Sequence, residues 1–138
     1  MNSAARIEDV LVHAPDVVRD LTGAHAAAFE AVNGELLDIC RTRIAQLLGC
    51  QWELDRSDLL VDVASWPAAT CFSAAERACL ALTEQWLIDV AGVTEAQIAA
   101  VSSELGEQGC VNFTSALLVI EQRQRLTLAW NELFKEIP

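Results

Sequence analysis

A thiol, two carboxyl groups and two guanidinium groups fall within one fifteen-residue stretch, RIAQLLGCQWELDRS, from Arg43 to Ser57. Such a set suits redox or acid–base chemistry. Cys50 follows Gly49 at the expected end of a helix and is the candidate thiol. Glu53 can donate a proton in a buried setting. Arg43 and Arg56, and further along Arg125, can hold a carboxylate, because a guanidinium pairs with one bidentately.

Few other groups compete for a chemical role. The five cysteines, Cys40, Cys50, Cys71, Cys79 and Cys110, are odd in number, so at least one lacks an intramolecular disulfide partner. None sits in a CxxC or zinc-type spacing; most read as small buried apolar residues, and only Cys50 has a context that asks for more. His13 and His25 lie far in sequence from Cys50. On its alanine-rich helix, His25 is expected to be a packed or surface residue rather than a catalyst. A metal site would have to be built from scattered carboxylates alone, so neither a metal nor another cofactor is expected. Glycine-rich phosphate loops, HExxH, G-x-S-x-G and fixed-period repeats are absent.

The net charge of −11 and a pI near 4.4 set limits on partners. Nucleic acids and anionic membrane surfaces attract cationic proteins and are not expected here. No basic-then-apolar signal segment opens the sequence, and no apolar run approaches the roughly 18 residues of a membrane span. A cytoplasmic location is the expectation.

The elements that must position these groups read as helices. Apolar residues make up 53% of the chain against 21% charged, which is globular rather than disordered. Only 6 Gly and 3 Pro stand among abundant Ala, Leu, Glu and Gln, a balance that favours helices. A first helix is predicted from Pro15–Asp16 to the turn signal Asn33–Gly34. A second runs from about Glu35 to Leu48 and is stopped by Gly49. A third is predicted from about Cys50 to Ser65, with Trp52, Leu59, Leu60 and Val63 on one face. Trp66–Pro67 opens a loop. Ser73 with Glu76 forms a capping box for a helix from Ala74 to about Val90. Thr94 caps Glu95–Leu105, and a long apolar pattern runs from Cys110 to Phe134. The fold class is all-α, one domain of about six or seven helices over residues 15–138, after an N-terminal segment 1–14.

Two stretches carry a resemblance. DICRTRIAQLLGCQWELDRS keeps Arg43, Ala45, Gln46, Leu47, Gly49 and Cys50 in register with E-L-x-x-x-R-V-A-Q-L-N-G-C, and FSAAERACLALTEQW keeps Glu76, Arg77, Ala78 and Glu84 of F-[ST]-x-x-E-R-A-A-L-A-L-x-E. These resemble the carboxymuconolactone decarboxylase and AhpD-like alkylhydroperoxidase superfamily over about residues 15 to 134. The resemblance implies an AhpD-like helical bundle and a homo-oligomer, a trimer or hexamer. An apolar VNFTSALLVI segment, which wants burial on both faces, leans the same way.

In the peroxidase branch two thiols form a redox pair and a Glu and a His relay protons. The resemblance places the first thiol on Cys50, the second on Glu53, the glutamate on Asp38 and the histidine on Ser57. A dithiol cycle is thereby unavailable. The decarboxylase branch carries Glu at the second position after an aromatic residue, as Trp52–Glu53 does here. The implied site is Asp38, Cys50, Glu53 and Ser57, with Arg43, Trp52 and Arg56 for substrate. Three functions follow: a small-molecule enzyme or binder, decarboxylase-like if catalytic, for a carboxylated ligand; a single-cysteine peroxidase using Cys50; or a non-catalytic scaffold subunit.

Each residue also has a plainer structural role open to it. Glu53 can favour a helix dipole, Asp38 can pair with Arg41 on an exposed face, and Cys50 can be a packed small residue. Arg43 can form an ion pair with Glu84 or Glu76, and the four tryptophans can anchor the core.

Overall fold

The computed structural model describes residues 13–59 and 61–134. Most of the expected N-terminal segment 1–14 lies outside the described residues, as does Leu60. Five α-helices and two short 3-10 turns account for most of the rest, and there is no strand among the described residues.

Helix α1, Pro15–Ala31, starts on proline, whose ring presets the helical φ. Helix α2, Gly34–Leu48, is capped by the Asn33 side chain, which accepts from the Leu36 N–H at 3.1 Å. It ends at Gly49 with φ 75°, a left-handed position that glycine takes without penalty. Helix α4, Ala74–Asp89, carries the capping box: Ser73 Oγ accepts from the Glu76 N–H, and Glu76 accepts from the Ser73 N–H.

The predicted third helix is corrected to a single turn, α3, Gln51–Leu54, with a separate 3-10 turn at Val63–Ser65. Its hydrogen bonds tighten to i−3 at Arg56 and Ser57 and then stop. Side chains take over the backbone donors: Ser57 Oγ accepts from the Leu59 N–H and Asp62 Oδ1 from the Ala64 N–H. Such short polar residues compete with helix bonding. The last helix, α5, spans Glu95–Phe134 where two helices separated by Gly106–Gly109 are expected. The interruption shrinks to a kink at Gly106, at φ 80° and ψ 169°. Gly109 meets Leu105 so closely across it that a Cβ there would lie 2.8 Å from the leucine Cβ. Taken as one element kinked at Gly106, α5 brings the number of helices among the described residues to five.

Helices α2, α4 and α5 pack on one another, and α1 lies mainly along α5. One core joins Leu37 and Ile44 of α2, Leu80 and Leu82 of α4, and Phe113, Leu117 and Ile120 of α5. Within VNFTSALLVI only one face is buried; Val111 and Leu118 on the other are 57% and 49% exposed. No helix among the described residues is long and apolar enough to cross a membrane.

Candidate functional site

The left-handed Gly49 turns the chain so that α3 folds back against α2, and Glu53 arrives beside Arg41. Arg41 Nη1 donates to Glu53 Oε2 at 2.7 Å, while its Nη2 lies 3.0 Å from Asp38 Oδ1, one turn earlier on α2. One guanidinium thus bridges two carboxylates. The Glu53 side chain is only 3% exposed. From α5, Arg123 Nε approaches the other Glu53 oxygen, Oε1, to 4.0 Å, an ion-pair distance longer than a hydrogen bond. Gln124, fully buried next to it, donates Nε2–H to the Arg41 carbonyl at 3.1 Å and locks α5 to α2.

Aromatic rings wall the cluster. The Arg56 guanidinium sits 3.7 Å from the Trp52 ring centre, and its Nη1 donates to the Trp52 carbonyl; Arg123 lies 5.9 Å from the same ring. On the α1 side Phe29 is 6.0 Å from the Arg41 guanidinium and 5.0 Å from the His25 ring. Three of the nine cationic side chains of a chain with net charge −11 therefore gather around two carboxylates.

The surroundings change several protonation equilibria. Burial, then the Arg123 and Arg41 charges, lower His25 from 6.5 to about 4, so its imidazole is neutral at pH 7. Burial also lowers Arg123; Glu53 opposes that shift, and Arg41 and Arg56 add to it. Among the described residues three buried side-chain polar atoms have no hydrogen-bond partner: Arg41 Nε, Arg123 Nε and Gln124 Oε1.

Of the residues expected at the site, Asp38 and Glu53 come together on Arg41, and Trp52 and Arg56 adjoin them beside Arg123. Cys50 is fully buried. Burial pushes its thiol up; the Glu53 N–H, hydrogen-bonded to it, works against this, and the Glu53 carboxylate adds to it. Burial, the largest of these effects, disfavours a reactive thiolate. Ser57 contacts the Thr42 hydroxyl at 3.3 Å and accepts from the Leu59 N–H, a structural use of its oxygen.

Arg43 is a correction. Its Nε donates to Glu84 Oε1 at 2.8 Å and its Nη1 to Gln46, and Glu84 Oε1 also accepts from Trp66 Nε1 at 2.7 Å. Arg43 thus ties α2 to α4 and to the 3-10 segment, away from Glu53. Arg125 is likewise engaged by Glu121 at 2.9 Å. Positions two apart on a helix point to different sides, so Arg41 and Arg123 face the cluster while Arg43 and Arg125 do not.

Arg41, Arg123, Gln124 and His25 were not legible as site residues. One signal for them existed. Phe113, Leu117, Ile120 and Gln124 follow one helical stripe, so a glutamine on it had to be buried and hydrogen-bonded.

No family model, curated protein or solved structure matches the chain. What the arrangement can do follows from its chemistry. Two guanidinium groups, steered by Glu53, hold buried N–H donors without acceptors beside a flat indole wall. Among the described residues no group of three His, Cys, Asp or Glu side chains could hold a metal ion.

Proposed function

We propose that the chain is a carboxymuconolactone-decarboxylase-like or AhpD-like protein that has lost the CxxC pair and its histidine. In this reading it binds a small carboxylated molecule at the altered site. The observation that carries the reading is the placement of Arg41 and Arg123 against the two oxygens of Glu53, with the Nε of each buried and without a hydrogen-bond partner. A guanidinium left with free donors in a low-dielectric setting favours an anionic acceptor. Glu53 serves here to orient the two arginines, and Trp52 and Arg56 form the wall against which the body of the ligand lies. A lyase-like reaction on such a ligand belongs to the same reading. Cys50, buried and held as a thiol, lends no support to a single-cysteine peroxidase.

Calorimetric titration with benzoate at neutral pH tests this. Benzoate is expected to bind saturably, with affinity lowered at least about tenfold in Arg123→Gln and unchanged in Arg125→Gln. Binding that is absent, or equally strong in both variants, removes the reading.

A homo-oligomer, trimer or hexamer, is part of the same proposal. The open Val111 and Leu118 face of α5 is consistent with it. Sedimentation equilibrium that finds only monomer at every concentration excludes it.

A further inference from the structure

Beyond the kink at Gly106, α5 runs unbroken, and one edge of it is exposed along its length: Gln108, Val111, Ser115, Leu118, Gln122 and Arg125. The steps between them alternate three and four, the spacing that keeps a seam turned towards a partner helix. The seam covers about 26 Å at the helical rise. Val111 and Leu118 are its large apolar groups, 57% and 49% exposed, and Ser115 between them is small.

The chain has 20 acidic side chains and a net charge of −11, so two copies repel one another over most of their surface. The seam is an exception, because none of its six residues is a carboxylate. Its charges stand at the ends. Arg125 Nε is held by Glu121 at 2.9 Å, but the side chain is 48% exposed, and among the described residues neither Nη is engaged. At the opposite end Glu107, beside Gln108, is exposed and has no ion-pair partner among the described residues.

We propose that this seam is a two-fold contact between two copies of the chain, with their α5 helices antiparallel. The ends of the seam dictate the direction. About an axis level with Ala116 and Leu117, Leu118 of each copy meets the small Ser115 of the other, and Val111 meets Gln122. The same register brings Arg125 of each copy to Gln108 and Glu107 of the other, so the opposite charges pair twice by symmetry. A parallel pairing would instead set Arg125 against Arg125 and Glu107 against Glu107, a juxtaposition of like charges that opposes association. One helix edge is smaller than a standard interface of about 800 Å² per partner, so the contact is weak enough to depend on concentration. The proposal rests on the homo-oligomer part of the reading above and adds its symmetry. A trimer has no two-fold axis, so of the trimer and the hexamer only the hexamer can contain this contact.

The test is sedimentation equilibrium of the full chain over a range of concentrations, with circular dichroism to check that each variant keeps its helix content. Wild type is expected to form an even-numbered assembly. Leu118→Glu is expected to raise the dissociation constant at least about tenfold. Val17→Glu, which adds the same charge at a 59% exposed valine of α1, is expected to leave it unchanged. Arg125→Glu and Glu107→Arg should each weaken association, and the two together should restore it to within about threefold of wild type. A strict trimer, or an oligomer that Leu118→Glu leaves intact, overturns this inference and leaves the homo-oligomer standing. A double charge reversal no tighter than the single variants overturns the antiparallel contact as well. Monomer at every concentration overturns both.

Discussion

Arg41 and Glu53 meet at 2.7 Å although twelve residues separate them. Along an unbroken helix that separation would be about 18 Å. The contact exists because Gly49 reverses the chain and the following helix lasts one turn. It is also the anchor of the candidate site, since Arg41 reaches Asp38 with its other nitrogen and Glu53 faces Arg123 with its other oxygen.

Breaking this pair from one side leaves a buried charge without a partner. Glu53→Ala is expected to cost about 3 kcal/mol in urea unfolding. Arg41→Met with Glu53→Leu, which removes both charges, is expected to recover most of that loss. Equal losses in the single and double variants would mean that the two side chains do not act as a pair.

Gly49→Ala tests the turn. Space is open for a methyl group, but φ is 75°, so the cost is conformational, about 1–2 kcal/mol. Gly49→Asn, which tolerates the left-handed region better, is expected to cost less than Gly49→Ala. Thermal unfolding of the two variants ranks them, and a reversed order would count against a left-handed Gly49.

Stability should carry the signature of His25. Because its folded value is depressed to about 4 from 6.5, the unfolded chain binds the proton first as pH falls. The contribution of His25 is therefore fully present above about pH 6.5 and is lost as pH falls towards 4, by up to about 3 kcal/mol. Urea unfolding of wild type and His25→Gln across that interval measures it; the variant should have the shallower slope. Parallel curves would place His25 in an ordinary aqueous setting.

Thiol labelling separates the cysteines. Cys71 is exposed, whereas Cys40, Cys50, Cys79 and Cys110 are buried. Burial pushes Cys40 and Cys50 up and takes Cys79 to about 12. Intact mass after brief iodoacetamide treatment at neutral pH should show one fast adduct, absent in Cys71→Ser. The same protein exposed to hydrogen peroxide should not oxidise rapidly at Cys50. Fast, thiol-reversible oxidation confined to Cys50 would restore the peroxidase reading.

Local rules by themselves determined much of the scaffold. Pro15, Asn33, Gly49, the Ser73–Glu76 box and Thr94 mark helix ends through hydrogen bonds and dihedral limits that span four residues or fewer. The apolar period of α2 likewise marks Leu37 and Ile44 as core. The resemblance groups Asp38, Cys50, Glu53 and Ser57 with Arg43, Trp52 and Arg56, and of these Asp38 and Glu53 share the Arg41 guanidinium. Where side chains competed with the backbone, as at Ser57 and Asp62, periodicity overstated the helix, because a pattern of apolar residues does not register hydrogen bonds that end it.

Only the tertiary structure decided which arginines serve the site. Arg41 and Arg43, like Arg123 and Arg125, differ by two positions and by little in local sequence. Their roles depend on how α2 and α5 are rotated against α3, α4 and α1, a consequence of packing the whole core. The same rotation brings Phe29, on which the His25 ring leans, to 6.0 Å from the Arg41 guanidinium. Electrostatic environment is set by distances across the fold, and those distances are not encoded in any single helix.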